Sequence, residues 1–211
     1  MKVLAINGSP RKGGNTAHAL KAMEEELAAA GIEMETVQVG GKIIRGCMAC
    51  GACARNKDER CAFGDTDPVN ETVQKVKAAD GLILATPVHF AGIGGTMKSL
   101  LDRVFYVDRV NGGLFAGKVG ASVVAVRRTG GSMAWQSLNF YLTFAGMPIA
   151  GSTYWSIVHG TAPGDVAGDA EGLQTVRNAA RNMAWMLAQR AATPGLALSE
   201  FDRGAQTNFI R

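Results

Sequence analysis

The sequence predicts an α/β fold built on a doubly wound, five-stranded parallel sheet of order 2-1-3-4-5, and three observations predict it. Apolar strand-like runs alternate with helix-period segments along the whole chain. Three of those runs, residues 3–6, 81–86 and 119–126, each lead into a glycine-rich loop, at residues 8–16, 87–95 and 127–132. A helix-period segment follows each loop. In an open parallel sheet, ligands bind beyond the carboxyl ends of the strands, where the strand order reverses. As strands one, three and four, these runs would bring all three loops to one crevice and one ligand.

The elements follow in order. Residues 16–31 place Leu20, Met23, Leu27 and Ala30 at spacings of three and four, an amphipathic helix closed by Gly31 just past its end. Residues 33–39 form the second strand, with weak alternation. Residues 40–67 are a long connection that holds every cysteine, and connections of that length are functional or disordered more often than not. Residues 68–79 form a helix with Val69, Val73 and Val76 on one face. After the third strand and its loop comes a helix over 96–105. The fourth strand, a helix over 134–145, a fifth strand over 149–155 and a helix over 171–190 complete the pattern. No repeat, low-complexity tract or linker interrupts it, so the 211 residues read as one domain with a cysteine-bearing insertion.

Composition narrows the function. With 47% apolar and 19% charged residues, the chain can bury a full core without disulfides. The net charge of +4 is scattered rather than clustered, which suits a small anionic ligand and argues against a nucleic-acid face. No apolar stretch approaches the ~20 residues of a membrane span. Met1 leads almost directly into a strand, so no signal peptide is expected and the chain is expected to be cytoplasmic.

The first loop reads Asn7-Gly8-Ser9-Pro10-Arg11-Lys12-Gly13-Gly14-Asn15-Thr16. It lacks the order of a nucleoside-triphosphate loop and that of a dinucleotide fingerprint, and the second strand ends in Val39-Gly40-Gly41 with no acid for a ribose. What remains is a set of neutral donors (Ser9, Asn15, Thr16), two cations (Arg11, Lys12) and backbone amides opening a helix. That chemistry suits a single terminal phosphate. The plainer alternative is a turn whose Ser and Thr cap the helix.

These residues resemble the FMN phosphate loop of the NADPH-dependent FMN reductase and iron–sulfur flavoprotein group, which has a flavodoxin-like fold. The likeness continues at Ala79-Asp80-Gly81, Thr86-Pro87-Val88-His89-Phe90, Met97-Lys98-Ser99-Leu100-Leu101-Asp102-Arg103, Thr129-Gly130-Gly131, Pro163-Gly164-Asp165-Val166 and Asn208-Phe209-Ile210-Arg211. The resemblance implies that Ser9, Arg11, Gly14, Asn15 and Thr16 hold the FMN phosphate. It implies that Pro87, Val88, His89 and Phe90 lie along the isoalloxazine ring, that Gly92 lets backbone approach it, and that Thr129, Gly130 and Gly131 close its polar edge. A flat ring needs an apolar wall, and glycine-rich backbone offers unobstructed amide donors.

Other residues carry weaker signals. His89 is either a donor to the flavin or a wall residue. Lys98 and Asp102 read as a helix-surface ion pair, with Arg103 on the same surface. Arg127 and Arg128 either meet the phosphates of NAD(P)H or stay solvated. Tyr154 and Trp155 either pack in the core or line the pocket. His18 and His159 read as incidental.

Cys47-x2-Cys50-x2-Cys53 followed by Cys61 suits the corners of a [4Fe–4S] cluster better than structural zinc, which favours two separated pairs. The spacing also resembles that of iron–sulfur flavoproteins. The alternative is four thiols with no cluster. The resemblance further implies an oxidoreductase that moves electrons from NAD(P)H or an iron–sulfur centre through FMN to a flavin, a quinone or another acceptor. It also implies a homodimer or homotetramer with a possible redox-protein donor. An electron carrier without small-molecule turnover and a regulatory cysteine sensor are the rival functions.

Overall fold

The structure, a computed structural model, describes residues 1–194 and Thr207. The sheet runs β2-β1-β3-β5-β6, all parallel, which is the expected order once the short antiparallel β4 is set aside. The strands are β1 (Lys2–Asn7), β2 (Glu33–Gln38), β3 (Gly81–His89), β4 (Gly92–Ile93), β5 (Val119–Val126) and β6 (Ile157–His159). The helices are α1 (Asn15–Ala29), α2 (Ala52–Asn56), α3 (Val69–Ala78), α4 (Gly95–Val110), α5 (Gly131–Phe144) and α6 (Ala170–Ala192).

Alternation on the central strands builds a core on each face of the sheet. Val3, Ala5, Ile83 and Ala85 pack with α1 and α6, while Leu4, Ile6, Leu82 and Leu84 pack with α3, α4 and α5. Helix α1 ends as its glycine predicts. Gly31 has φ +72°, its N–H bonds the Ala28 carbonyl, and the N–H of Ile32 bonds that of Leu27. Helix α4 runs past the expected end at 105, because Val107 stays buried and the terminus is closed by Asn111, whose side-chain amide donates to the Val107 carbonyl at 2.8 Å.

Two expectations about strands need correction. The fifth strand lies at Ile157–His159, and within the predicted 149–155 span a single bridge survives, Ile149 opposite Gly120. Between that bridge and the pairing of Val124 with Ile157, β5 advances four residues and its neighbour eight. Four residues therefore leave the sheet, and the excursion carries Tyr154 and Trp155 outward to 62% and 47% exposure. The core reading of these rings fails. The second difference lies after Thr86, where the loop is partly strand: β3 continues to His89 and folds back through Phe90-Ala91 into β4. Both turn residues have positive φ, 47° and 63°, as a tight two-residue hairpin requires.

Candidate functional site

Three loops converge at the carboxyl edge of β1, β3 and β5. A cleft of about 280 Å³ is lined by Ser9, Arg11, Gly14, Asn15 and Thr16 from the first, Pro87, Val88 and His89 from the second, and Arg127 beyond β5. A neighbouring cleft of about 420 Å³ holds Thr129, Gly130 and Gly131 together with Tyr154 and Trp155. Phe90 stands fully exposed at the hairpin tip, and Gly92 pairs with His89 across it.

The first loop does not cap its helix with a side chain. The N-cap is Gly14, which leaves the amides at the start of α1 without a side-chain acceptor. The Ser9 hydroxyl instead accepts from the Arg11 N–H and donates to the Arg11 carbonyl, both at 3.2 Å. The capping alternative for Ser9 therefore does not hold, and an anion would find uncapped donors at the cleft. Arg11 is exposed, and its guanidinium reaches the Thr161 carbonyl at 3.4 Å.

Asn15 has a different engagement. Its side-chain nitrogen donates to the Ala162 carbonyl at 3.0 Å, and its side-chain oxygen accepts from the N–H groups of Gly164 (3.0 Å) and Val166 (3.3 Å). It clips the 160–166 loop against the first loop. Gly160 permits that approach, since a Cβ there would lie 2.5 Å from the Asn15 amide nitrogen. The loop is also braced from β2: a Cβ on Gly40 would lie 2.2 Å from the Gly8 carbonyl oxygen. Sequence reasoning missed Gly40 and the clip, because both join segments far apart in the chain.

The four cysteines line one small cavity of about 20 Å³ with Gly46, Gly51, Phe63, Arg103 and Tyr106. Cys47 and Cys50 are exposed, Cys53 is buried and Cys61 is half-buried. Burial, reinforced by the neighbouring Cys61, pushes the Cys53 thiol up. Among the described residues no group of three or more His, Cys, Asp or Glu side chains closes around a metal ion. The donor chemistry nonetheless fits a four-thiolate cluster, since all four cysteines line this one space and no carboxylate is among its lining residues. The surrounding backbone is shaped for tight turning: Ala49, Lys57 and Glu59 adopt positive φ alongside Gly51.

Arg103 corrects the surface reading of α4. It is 2% exposed and forms a buried ion pair with Asp67. Lys98 and Asp102 do pair on the surface, at 2.7 Å. The partner Asp67 could not be read from spacing, since it lies 36 residues upstream.

Residues 1–162 match the family model of NADPH-dependent FMN reductases. The chain belongs to that family. It is also 35% identical over 192 residues to the iron–sulfur flavoprotein MJ1083 of Methanocaldococcus jannaschii, covering 87% of this chain and 96% of that protein. Among solved structures it resembles RosB with bound 8-demethyl-8-formylriboflavin-5'-phosphate, with a TM-score of 0.70 at 16% identity over 100% of this chain and 96% of RosB. It also resembles an archaeal flavodoxin, with a TM-score of 0.57 at 14% identity over 89% and 99% of the two chains. The fold is thus flavodoxin-like, and this member of the FMN reductase family is a flavoprotein oxidoreductase by family. Among its described residues no helix is long and apolar enough to cross a membrane.

Proposed function

We propose that this protein is an FMN-dependent oxidoreductase that takes electrons from NAD(P)H or from its own iron–sulfur centre and passes them to a flavin, a quinone or a related acceptor. The observation that carries the reading is the uncapped start of α1 opening into a cleft beside Ser9, Arg11 and Thr16, opposite the apolar side of Pro87 and Val88. Ser9, Arg11, Thr16 and the backbone at Gly14 and Asn15 would hold the phosphate, with the Asn15 side chain keeping the loop in place. Pro87, Val88, His89 and Phe90 would lie along the ring, Gly92 would let backbone approach, and Thr129, Gly130 and Gly131 would meet its polar edge. When bound, FMN supplies the hydride and electron chemistry. Arg127 and Arg128 are exposed beside the cleft and suit the phosphates of a nicotinamide nucleotide.

The test is to titrate apoprotein with FMN and with riboflavin. The loop predicts much tighter FMN binding, because each charge-assisted hydrogen bond to the phosphate is worth roughly 1.5–3 kcal/mol. Equal affinities would overturn the reading.

A second function, electron carriage between redox proteins, is favoured by the four cysteines around one cavity. Beside Cys47 lies an apolar groove of Phe105, Tyr106, Phe140, Tyr141 and Phe144, with Phe140 61% and Phe144 62% exposed. Such a face suits association, and it supports a homodimer or homotetramer. The terminal residues 208–211, which share in the family resemblance, lie outside the described residues. Anaerobic bleaching by NADPH with turnover would mark the enzyme; reduction by ferredoxin-like donors alone would mark the carrier.

A further inference from the structure

Of the four cysteines, Cys61 stands farthest from the others in sequence, yet it is the most firmly placed by hydrogen bonds. Its N–H donates to the Asn70 side-chain oxygen at 2.7 Å, and its carbonyl accepts from the Asn70 side-chain nitrogen at 3.1 Å. Asn70 is buried on α3, and Gly64 gives it room, since a Cβ there would lie 2.4 Å from the amide carbon. The sulfur is fixed separately. Arg103 Nε and Nη2 both donate to Cys61 Sγ at 3.3 Å, while Nη1 donates to the Asp67 carboxylate and to the Arg45 carbonyl. A buried guanidinium thus turns one edge of its planar fork to a sulfur and the other to an acid.

We propose that Arg103 is a positioning residue for the cluster: it aims Cys61 Sγ as the fourth ligand and, as a buried cation at one corner, raises the cluster's reduction potential, with Asp67 setting how much of that charge is felt. The inference rests on the four-cysteine reading above and adds to it a residue that is not itself a ligand. The physics has a definite sign. Reduction adds negative charge to the cluster, so N–H donors and a nearby cation favour the reduced form more than the oxidised one. An anion at Asp67 opposes them. Neither the ion pair nor the sulfur contact can be read from chain spacing. Arg103 is separated from Cys61 by 42 residues and from Asp67 by 36.

The experiment uses anaerobically purified holoprotein, with iron and FMN counted per chain and the cluster potential measured by redox titration followed by electron paramagnetic resonance. Arg103→Gln should lower the reduction equilibrium constant of the cluster at least tenfold, about 59 mV for one electron. Arg103→Lys, which keeps the charge and loses the fork, should recover part of the shift. Asp67→Asn, which keeps an acceptor for Nη1, should move the potential the opposite way. A merely structural Arg103 would shift Arg103→Gln and Asp67→Asn in one direction or leave both unmoved, and either result overturns the proposal. If Arg103→Gln does not fold, the opposed shifts of Arg103→Lys and Asp67→Asn decide it. Wild-type protein with full FMN and no iron overturns the cluster reading and this inference together, a result distinct from a normal iron count with an unmoved potential.

Discussion

Asn15 joins two parts of the site that lie almost 150 residues apart, and its three hydrogen bonds to the 160–166 loop define what its loss should do. Asn15→Ala should destabilise the fold by about 1–3 kcal/mol, because two buried or half-buried amides and a carbonyl lose their partner. It should weaken FMN more than riboflavin, since the loop it loosens is the one that would hold the phosphate, and its loss of fold stability distinguishes it from a phosphate-contact variant. Arg11→Ala should weaken FMN and spare riboflavin; an equal loss for both would show that Arg11 is not on the phosphate. Paired calorimetric titrations read the preference for FMN, and thermal melts separate the two variants. Tyr141 offers a pH test on α5. Burial, reinforced by the hydrogen bond to Asp102, pushes its phenol up to about 12. The folded state therefore favours the neutral ring, and this contribution is full below the unfolded value near ~10 and is lost as pH rises from there towards 12. Ultraviolet titration should show a phenol ionising near pH 12 that Tyr141→Phe removes. At this scale the sequence was legible where a residue's type decides its chemistry, as for Ser9, Arg11 and the four cysteines. It was silent on Arg103, whose type suggests a surface but whose partners lie in a distant loop.

Elements carry the next set of outcomes. The end of β2 comes so close to the first loop that position 40 admits no side chain, and its φ places no further demand on it. Gly40→Ala should cost about 1–3 kcal/mol by overpacking against backbone that cannot yield, and should weaken FMN by displacing Gly8 and Ser9. Thermal melts with and without FMN check both effects. The cysteine segment behaves differently, because its short helix α2 carries one buried residue, Cys53, and offers little core of its own. If it is ordered around a cluster, chelating the iron should raise hydrogen exchange across residues 40–67 while α1 and β5 stay protected. Unchanged exchange would separate the segment's order from the metal. Helices and central strands were legible because burial imposes period 3.6 on the first and alternation on the second, as at Val69, Val73 and Val76 or at Val3 through Ile6. The fifth strand was misplaced by a physical ambiguity. Residues 149–155 are apolar and aromatic enough for a strand, but four residues bulge out to expose Tyr154 and Trp155, and the pairing resumes at Ile157.

For the whole molecule, the strand order was readable from three loops that had to meet at one edge, whereas the exposed aromatic face was not. Its aromatic residues are spread over α4 and α5, where helical spacing alone does not distinguish an exposed Phe144 from a buried Leu142. That face predicts self-association: light scattering at micromolar concentration should give a dimer or larger, and Phe140→Glu with Phe144→Glu should shift the mass towards monomer. A monomeric wild type with flavin bound would remove the oligomer. The central claim is that one chain holds a flavin nucleotide at the first loop and an iron–sulfur cluster at Cys47, Cys50, Cys53 and Cys61. Its most direct test is to purify the protein without oxygen and count FMN, iron and acid-labile sulfide per chain. The account predicts about one FMN with about four iron and about four sulfide; full flavin with near-zero iron and sulfide would contradict it.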